Sequence, residues 1–353
     1  MSGGTDSSVA AILLQQNKYD VSGITFRSYD SISKGCMERE NGCCNVDTLF
    51  EAKHLAQKLG FPHRIIDSRQ DFQNTVIKDF IDEYLKGRTP NPCVVCNTVI
   101  KWGSIADVAK EEGFDYVATG HYAQIAEKDG RYFLRKGVDE AKDQTYFLWT
   151  MTQDNLKHTL FPLGQLVKDE VREIARKEGY EKIATKRESQ EICFVTDNDY
   201  RRFLRDNIED VEHKIKPGNF LNTAGEIIGT HKGYPYYTIG QRKGLNIALG
   251  HPAYVTKLNP KDNTVTIGVR EDLDATEMWV EQLNMMKYAQ IEGEMELTCK
   301  IRYNSKGILS RVTQHGDRLK VEFYSKAWAI TPGQSAVFYE GDDVVCGGLI
   351  MQA

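Results

Sequence analysis

The sequence predicts an α/β fold in which a doubly wound parallel sheet is followed by a small β-rich region and a C-terminal β-barrel. Up to about residue 197, short apolar runs alternate with helical patterns, which is typical of a parallel sheet with crossover helices. After Tyr200, Gly/Pro turns separate short strand-like runs. The predicted domains are 1–197 for the α/β sheet, 198–271 for a central β-rich domain, and 272–353 for the barrel.

The first domain opens with a glycine- and serine-rich loop, Ser2–Ser8, that runs straight into an apolar helix. Gly3 and Gly4 let the backbone approach a polyphosphate closely, while serine hydroxyls and the N–H groups of the helix N-terminus donate hydrogen bonds to it. No Gly-Lys-Ser/Thr follows, so the loop is not the common P-loop. The loop indicates ATP binding, and the alternative is a capped helix after a glycine turn. Such a loop normally follows a buried central strand, which is expected upstream of Met1 or absent.

The remaining elements of this domain follow in alternation. Strands are predicted at 21–26, 63–67, 116–121 and 192–195, and helices at 6–17, 47–59, 71–86, 93–112 and 168–179. Ligands of such sheets bind at the carboxyl ends of the strands, so the Ser2–Ser8 loop, Phe26 and Thr119–His121 are expected to converge.

The sequence of the second half of the chain predicts mostly β-strands. A boundary is expected near Arg270–Asp274, because the run 264–268 ends one module and Trp279 begins another. Alternating runs at 294–303, 319–324 and 335–339 predict a small barrel.

Composition indicates a cytoplasmic enzyme. The 353 residues are 41% hydrophobic, and no apolar run approaches the roughly 18 residues that span a bilayer. The net charge of -5 argues against indiscriminate nucleic-acid binding. Between residues 201 and 257, however, the sequence has nine Lys/Arg and only five Asp/Glu, and Tyr234, Tyr236 and Tyr237 lie among them. This segment is compatible with an RNA-facing stripe or with a solvated surface and ordinary tyrosine packing.

Eight cysteines in such a protein favour catalytic, metal-binding or buried roles over a disulfide framework. Cys299 and Cys346 lie in apolar strand-like runs and are predicted core residues. Cys36, Cys43 and Cys44 lie in a Gly- and Glu-rich loop, where metal binding and incidental exposure both stay open.

Three further cysteines carry the candidate chemistry. Cys93 and Cys96 form a CxxC at a predicted helix start, where the helix dipole lowers the pKa of a thiol and favours Cys96 as a nucleophile. Redox, zinc and iron–sulfur roles all stay open for this pair. Cys193 is predicted on an apolar strand, where a core position is the alternative to a functional one.

Several motifs occur in a fixed order along the chain and together identify a family. They are Ser2–Ser8, Gly87–Pro92, Cys96-Asn97, Ala118–Tyr122, Lys142–Leu148, Ile192–Phe194, Thr238–Gly244 and Thr331–Tyr339. The joint pattern resembles the tRNA-specific 2-thiouridylase family of PP-loop ATP pyrophosphatases, from residue 2 to about residue 350. The resemblance implies an adenine nucleotide alpha hydrolase-like first domain.

The resemblance also implies an activity and a set of site residues. The family replaces the C2 oxygen of the wobble uridine with sulfur in tRNAs for Lys, Glu and Gln, using ATP and Mg²⁺ and sulfur from a relay protein or cysteine desulfurase. The implied ATP contacts are Ser2, Gly3, Gly4, Thr5, Asp6, Ser7, Ser8, Phe26 and Gly120. The implied tRNA contacts are Asn91, Pro92, Cys93, His121, Lys142, Asp143, Gln144, Arg302, Tyr303 and Gln334.

The implied chemistry runs through two cysteines. Transfer of AMP to the C2 oxygen creates a leaving group, and a persulfide on Cys193 then attacks C2. Cys96 either frees the sulfur from that persulfide or releases the product, which leaves a Cys96–Cys193 disulfide for a reductant to reopen.

The sequence departs from the family at one site position. The family usually has Asn-Pro-Asp where this chain has Asn91-Pro92-Cys93, so a carboxylate suited to proton transfer is replaced by a thiol. Cys93 either takes over proton transfer or joins Cys96 and Cys193 in holding an iron–sulfur cluster, as in cluster-dependent tRNA thiolases. Two further alternatives are another PP-loop adenylating enzyme of the amidotransferase-synthetase type and a tRNA- or metal-binding protein without catalysis.

Overall fold

The computed structural model describes residues 1–29, 46–186, 192–247 and 249–351, and for residues 46–48 it describes the backbone alone. The cysteines Cys36, Cys43 and Cys44 lie outside the described residues. The chain divides into two compact units. Unit 1 comprises Met1–Ile77, Pro92–Asn198 and Asp342–Val344, and unit 2 comprises Lys78–Asn91, Asp199–Gly341 and Val345–Ala353. The three predicted domain boundaries stay a prediction.

The described helices and strands are numbered in chain order. The α-helices are α1 (Thr5–Gln16), α2 (Val46–Leu59), α3 (Arg69–Phe72), α4 (Lys78–Leu85), α5 (Pro92–Cys96), α6 (Ile105–Glu111), α7 (Gln153–Lys157), α8 (Lys168–Lys177), α9 (Glu181–Ala184), α10 (Tyr200–Asn207) and α11 (Val211–Lys214). The strands are β1 (Gly23–Arg27), β2 (His63–Asp67), β3 (Val117–Ala118), β4 (Ala123–Lys128), β5 (Arg131–Lys136), β6 (Thr159–Leu160), β7 (Gly218–Leu221), β8 (Ile227–His231), β9 (Tyr254–Asn259), β10 (Thr264–Gly268), β11 (Asp274–Met285), β12 (Glu294–Lys300), β13 (Ile308–His315), β14 (Arg318–Trp328), β15 (Ser335–Glu340) and β16 (Asp343–Ile350). Two π-helical segments, Gln73–Ile77 and Asn97–Ser104, follow α3 and α5.

Unit 1 contains parallel strand pairs with helices packed on them, as the alternation of patterns predicts. β1 pairs with β2 over its whole length, and β3 pairs with β6. Val9 and Ala10 of α1 pack in one buried cluster with Val171 and Ala175 of α8. Burying these apolar faces joins the N-terminal helix to the late helix of the same unit.

Two predicted strands of unit 1 are wrong in extent or type. The run 116–121 forms only the short strand β3, and Thr119–His121 continues as a loop. The run 192–195 is a turn, in which the Val195 amide donates to the Ile192 carbonyl. Phe194 and Val195 are buried in this turn, so the apolar run reflects anchoring side chains and not a strand.

One hairpin of unit 1 was not predicted, although its sequence carries a strong turn signal. β4 and β5 pair antiparallel across Asp129 and Gly130, which have φ of 52° and 73°. An Asp-Gly pair with two positive φ angles is the common two-residue hairpin turn.

Unit 2 holds a four-stranded sheet and the predicted barrel. The sheet has the order β8-β7-β10-β9. The order β11-β14-β13-β12-β15-β16 closes because β16 also pairs with β11, which makes a six-stranded antiparallel barrel. Cys299 and Cys346 are fully buried in its core, as predicted, and burial raises the pKa of both thiols.

The tyrosines of the basic segment pack inside unit 2. Tyr236 and Tyr237 are buried, and the Tyr234 hydroxyl donates to the Leu85 carbonyl. Ordinary tyrosine packing therefore accounts for this pattern, and these rings do not form an exposed RNA-facing stripe. Among the described residues, no helix is long and apolar enough to cross a membrane.

Candidate functional site

The Ser2–Ser8 loop forms the N-terminal end of α1. Gly3 has φ of 66°, a conformation that glycine adopts without strain, and Gly4 is the N-cap residue and has no side chain to cap the helix. The Ser2 amide donates to Ser7 Oγ at 3.1 Å, and Ser8 Oγ donates to the Gly4 carbonyl at 2.8 Å. The first turn of a 12-residue helix thus presents N–H groups at its positive dipole end, beside serine hydroxyls.

Hydrogen bonds to later parts of unit 1 hold this loop in place. Thr5 Oγ1 donates to the Ile183 carbonyl at 2.6 Å, and Lys186 Nζ donates to the Gly3 carbonyl at 3.0 Å. Asp6 Oδ1 accepts hydrogen bonds from Lys168 Nζ at 2.7 Å and from the Tyr122 hydroxyl at 2.9 Å. The Lys168 ammonium therefore compensates the one carboxylate of the loop.

Two predicted nucleotide contacts adjoin the loop. A Cβ on Gly120 would lie 2.6 Å from the Asp6 carbonyl carbon, so only glycine lets the chain pass this close. Phe26 lies half-buried in β1, and the Met1 carbonyl next to the loop accepts a hydrogen bond from Thr25 Oγ1 at 2.6 Å. The structure thus brings the loop together with Gly120 and with the strand that carries Phe26.

His121 follows Gly120 and is held by two neighbours. Its Nε2 lies 3.2 Å from Lys101 Nζ and its Nδ1 lies 2.8 Å from Thr119 Oγ1. An ammonium only donates, so Nε2 accepts, and Nδ1 carries the proton and donates to Thr119. Burial and the Lys101 charge hold the pKa of His121 well below its usual value. His121 is a neutral imidazole at physiological pH.

The candidate cysteines lie on two segments of unit 1 that meet the same short helical region. Cys93 and Cys96 are the second and last residues of α5, which packs on the π-helical segment Gln73–Ile77. Cys193 is exposed in the turn 192–195, and the ring of the next residue, Phe194, lies 5.7 Å from that of Phe72, directly before that segment. The prediction that Cys193 lies on a strand is wrong, and an exposed turn makes its thiol accessible.

In unit 2, a cavity of about 560 Å³ contains two of the predicted tRNA contacts, Arg302 and Gln334. An Arg302 guanidinium nitrogen lies 3.1 Å from Thr331 Oγ1 and also donates to the Ala329 carbonyl. The Gln334 amide donates to the carbonyls of Thr89 and Pro90 at 3.1 and 2.8 Å, and so fixes the backbone just before Asn91.

Comparison with known proteins assigns the chain to a family. Models of the tRNA methyl transferase HUP domain, the tRNA methyl transferase PRC-barrel domain and the aminomethyltransferase β-barrel domain match residues 1–197, 202–269 and 275–350. Proteins named tRNA-specific 2-thiouridylase MnmA from Amoebophilus asiaticus and Cytophaga hutchinsonii are each 47% identical over 99% of this chain, and the match covers 93% and 95% of their own lengths. The relative from Clostridium perfringens is 46% identical over 99% of the chain. The chain belongs to the tRNA-specific 2-thiouridylase family.

The tRNA contacts that the family implies differ in how the structure uses them. Asp143 is buried, and its carboxylate accepts hydrogen bonds from the Thr145 hydroxyl at 2.8 and 3.0 Å. Gln144 Oε1 accepts from the Tyr122 amide at 3.0 Å. Asp143 and Gln144 therefore shape the loop around Lys142 through hydrogen bonds within the chain. Lys142 and Tyr303 are half-buried.

The described residues differ in how well they would hold an iron–sulfur cluster or Mg²⁺. Among the described residues, which include Cys93, Cys96 and Cys193, no three or more His, Cys, Asp or Glu side chains gather closely enough to hold a metal ion. The three thiols therefore do not fit an iron–sulfur cluster. Mg²⁺ is commonly held by one or two carboxylates plus substrate phosphates. The one carboxylate of the Ser2–Ser8 loop, Asp6, is already paired with Lys168 Nζ at 2.7 Å, so Mg²⁺ at this loop would be held mainly by the phosphates of ATP.

Two residues with roles at these sites were not predicted from the sequence. Lys168 begins a strongly amphipathic helix, and its partner Asp6 lies 162 residues earlier, so no local pattern connects them. Trp328 lines the cavity of unit 2 but ends a strand whose alternation looks like ordinary barrel sequence. A tryptophan at a strand end next to the Thr331–Tyr339 motif was the one available signal.

Proposed function

We propose that this protein is an ATP-dependent tRNA 2-thiouridylase, a sulfurtransferase that converts the wobble uridine of tRNA to 2-thiouridine. The observation that carries the proposal is identity of 47% over 99% of the chain to proteins of that name. The geometry of the phosphate loop and the placement of the cysteines support the same activity.

ATP is proposed to bind with its phosphates at the Ser2–Ser8 loop. Three features support this position: the α1 N-terminus presents N–H groups, Lys168 compensates Asp6, and Gly120 leaves space beside the loop. The proposed first step is attack of the uridine C2 oxygen on the α-phosphorus of ATP. An O–P bond forms, the α–β bridging O–P bond breaks, and pyrophosphate leaves.

The sulfur step is proposed to use a persulfide on Cys193. Its terminal sulfur attacks C2, a C–S bond forms, and the C2–O bond breaks as AMP leaves with the oxygen. The Cys96 thiolate then attacks the Cys193 sulfur, which releases the 2-thiouridine and leaves a Cys96–Cys193 disulfide. A thiol reductant returns both residues to thiols. In the variant order, Cys96 first frees sulfide from Cys193, and that sulfide attacks C2.

Cys93 is proposed to act in proton transfer at this site. The helix start places it three residues before Cys96, and it is exposed. A thiolate there can accept a proton in the position where the family usually has a carboxylate.

The remaining family properties are proposed for this chain as well. The tRNA substrates are those for Lys, Glu and Gln, the sulfur donor is a relay protein or cysteine desulfurase, and the location is cytoplasmic. Asn91, Pro92, His121, Lys142, Arg302 and Gln334 are the proposed tRNA contacts, with Asp143, Gln144 and Tyr303 beside them. The proposed domains are 1–197, 198–271 and 272–353.

The test is reconstitution of the purified chain with a tRNA transcript, ATP, Mg²⁺ and a persulfide-generating desulfurase. Nucleoside mass spectrometry should detect 2-thiouridine, with AMP and pyrophosphate released in equal amounts. Cys193→Ser and Cys96→Ser should each abolish 2-thiouridine while the wild-type ATP affinity is retained. Full activity in both variants would instead favour an adenylating enzyme that needs no paired thiols.

A second pair of variants addresses Cys93. Cys93→Asp restores the usual family residue, so a role in proton transfer predicts activity at or above the wild-type level, whereas Cys93→Ala should lower it. Iron that copurifies with the wild type under anaerobic conditions and is lost from Cys93→Asp, together with activity, would overturn the persulfide mechanism.

A further inference from the structure

Two lysines that contact the phosphate loop of unit 1 are paired with carboxylates. Lys168 Nζ lies 2.7 Å from Asp6 Oδ1, and Lys186 Nζ lies 2.6 Å from Glu51 Oε2. Lys101 differs from both lysines, because none of the carboxylates among the described residues lies within ion-pair distance of its nitrogen. A half-buried ammonium without a counter-charge is costly unless a bound anion supplies one. Lys101 is therefore a candidate contact for an anionic group of a substrate.

The hydrogen-bonding partner of Lys101 is a neutral imidazole that is fixed on several sides. Lys101 Nζ donates to His121 Nε2 at 3.2 Å, and His121 Nδ1 donates to Thr119 Oγ1 at 2.8 Å. The ring centroid of His121 also lies 5.6 Å from that of Trp102 and 6.0 Å from that of Phe161. His121 therefore orients the ammonium but does not neutralise its charge.

The Lys101–His121 pair adjoins the anion-binding end of α1. His121 is the residue after Gly120, and a Cβ on Gly120 would lie 2.8 Å from the Ser7 amide nitrogen and 2.6 Å from the Asp6 carbonyl carbon. Ser7 lies in the first turn of α1, where backbone N–H groups have no partner within the helix and bind anions. The segment that holds the Lys101 ammonium thus borders the proposed position of the ATP phosphates.

Lys101 also belongs to the helical element that carries the proposed nucleophile. Cys96 ends α5, and the π-helical segment Asn97–Ser104 begins at the next residue. Residues five positions apart are hydrogen-bonding partners in a π-helix, so Lys101 lies about one turn after Cys96. Such segments are rare and occur frequently at functional sites. In the proposed reaction, the α-phosphorus of ATP lies between the phosphate loop and the cysteines, which is where these two connections place Lys101.

We propose that Lys101 is a catalytic residue whose ammonium contacts the α-phosphate of ATP, and that His121 is the positioning residue that holds it there. The proposal rests on the proposed function and deepens it by naming the cation of the adenylation step. The uridine C2 oxygen attacks the α-phosphorus, an O–P bond forms, and the α–β bridging O–P bond breaks with its electron pair going to pyrophosphate. Lys101 keeps its proton and counters the negative charge on the α-phosphate oxygens throughout this step.

The first test measures nucleotide binding by isothermal titration without tRNA or Mg²⁺. Lys101→Met should raise the Kd of AMP about tenfold and leave the Kd of adenosine unchanged, because adenosine has no phosphate. Lys101→Arg keeps the charge and should recover most of the AMP affinity. Lys110→Met, at an exposed position on α6, is the matched control and should bind both compounds as the wild type does.

Two results of this titration would overturn the phosphate contact. They are an unchanged AMP Kd in Lys101→Met and an equal loss of affinity for AMP and adenosine, which would show a distorted site. Lys101→Gln carries the same prediction if Lys101→Met does not fold, because glutamine is polar but uncharged.

A double variant tests the role of His121. His121→Leu removes the acceptor of Lys101 and should weaken AMP binding less than Lys101→Met does, with adenosine binding unchanged. If His121 acts through Lys101, the variant Lys101→Met/His121→Leu should bind AMP no more weakly than Lys101→Met alone. Additive losses of AMP affinity, or a loss of adenosine affinity in His121→Leu, would overturn the positioning role.

The catalytic role is tested in a Cys193→Ser background, where the sulfur step is blocked and adenylation is measured alone. At saturating ATP, rapid quench should show that adding Lys101→Met slows the first turnover of pyrophosphate release about a hundredfold, and that adding Lys101→Arg slows it less. An unchanged rate at saturating ATP would overturn the catalytic role of Lys101.

The outcomes separate this proposal from the proposed function. Wild-type protein that forms 2-thiouridine while Lys101→Met binds AMP normally overturns only the assignment of Lys101. A selective loss of AMP affinity in Lys101→Met, with a wild type that forms no 2-thiouridine, supports the phosphate contact and overturns the proposed function. A wild type that binds neither ATP nor AMP overturns both.

Discussion

The Lys168 ammonium lies 2.7 Å from a carboxylate oxygen of Asp6 in the first turn of the phosphate-loop helix. The Lys168 side chain is 8% exposed, whereas that of Asp6 is 34% exposed. An unpaired carboxylate at this position would repel a polyphosphate from the helix N-terminus. The buried lysine removes that repulsion and also joins the start of α8 to the start of α1.

Replacing Lys168 should weaken ATP binding. Lys168→Met leaves the Asp6 carboxylate beside the loop without its ammonium partner, so we expect the ATP Kd to rise about tenfold or more, which corresponds to about 1.4 kcal/mol. Isothermal titration with ATP in Mg²⁺ buffer measures this change. Lys177→Met, at an exposed position on the same helix, is the matched control and should bind as the wild type does.

The double variant Asp6→Asn/Lys168→Met distinguishes charge compensation from loss of packing. If compensation is the role, removal of both charges should recover part of the lost ATP affinity relative to Lys168→Met alone. No recovery, with a normal thermal midpoint, would contradict this role.

A methyl group at Gly120 should disturb the phosphate loop. The added Cβ would lie 2.6 Å from the Asp6 carbonyl carbon, so the loop or the Thr119–His121 segment must move. Gly120→Ala should therefore lower the thermal midpoint by several degrees and weaken ATP binding by more than tenfold. In Gly103→Ala the new Cβ meets the Thr98 carbonyl at an ordinary 3.4 Å, so this control should bind ATP normally.

Structural features that depend on neighbouring residues could be predicted from the sequence, whereas features that join distant residues could not. The helix α1 and strands β1 and β2 follow from apolar periodicity within a few residues, and they form where predicted. The Lys168–Asp6 pair could not be predicted, because its members meet only after the chain folds. For Cys193, apolar neighbours that anchor a turn produce the same pattern as a short strand.

The same limit applies to the cavity of unit 2. The Thr238–Gly244 motif is visible in the sequence, and Trp328 lies 84 residues beyond its last residue. Their contact depends on how the loop folds against the end of β14, which no periodicity encodes. Family motifs therefore identified residues of this cavity, whereas the cavity itself became visible only in three dimensions.

Asp79 should destabilise the protein at neutral pH. Burial, with the charge of Glu83 as a smaller cause, raises the pKa of Asp79 to about 6 from 3.8. The folded state thus favours the protonated form, and stability decreases as pH rises from about 4 to 6. Asp79→Asn removes this cost and should raise the thermal midpoint by about 1–3 °C at pH 7.5, from roughly 1 kcal/mol after allowance for partial exposure.

The gain from Asp79→Asn should shrink when the measurement is repeated at pH 5, because the wild-type carboxyl is then largely protonated. Asp82→Asn is the control on the same helix, where the wild-type carboxylate lies 3.6 Å from Lys78 Nζ at the surface. It should not raise the midpoint at either pH. An equal gain at both pH values for Asp79→Asn would contradict the titration argument.

Lys101 should lower the pKa of His121 further than burial alone does. Burial is the larger cause of the lowered pKa of His121, and the ammonium 3.2 Å from its Nε2 adds to it. Because the folded state disfavours the imidazolium, the unfolded chain binds more protons than the folded chain just below pH 6.5. The free energy of unfolding therefore decreases as pH falls below that value. Lys101→Met should raise the pKa of His121 toward 6.5 but leave it lowered by burial.

Titration of the imidazole C2 proton by NMR, with the signal assigned by His121→Gln, measures the pKa of His121. The control Lys110→Met should leave this pKa unchanged. An unchanged pKa in Lys101→Met would show that burial alone keeps His121 neutral.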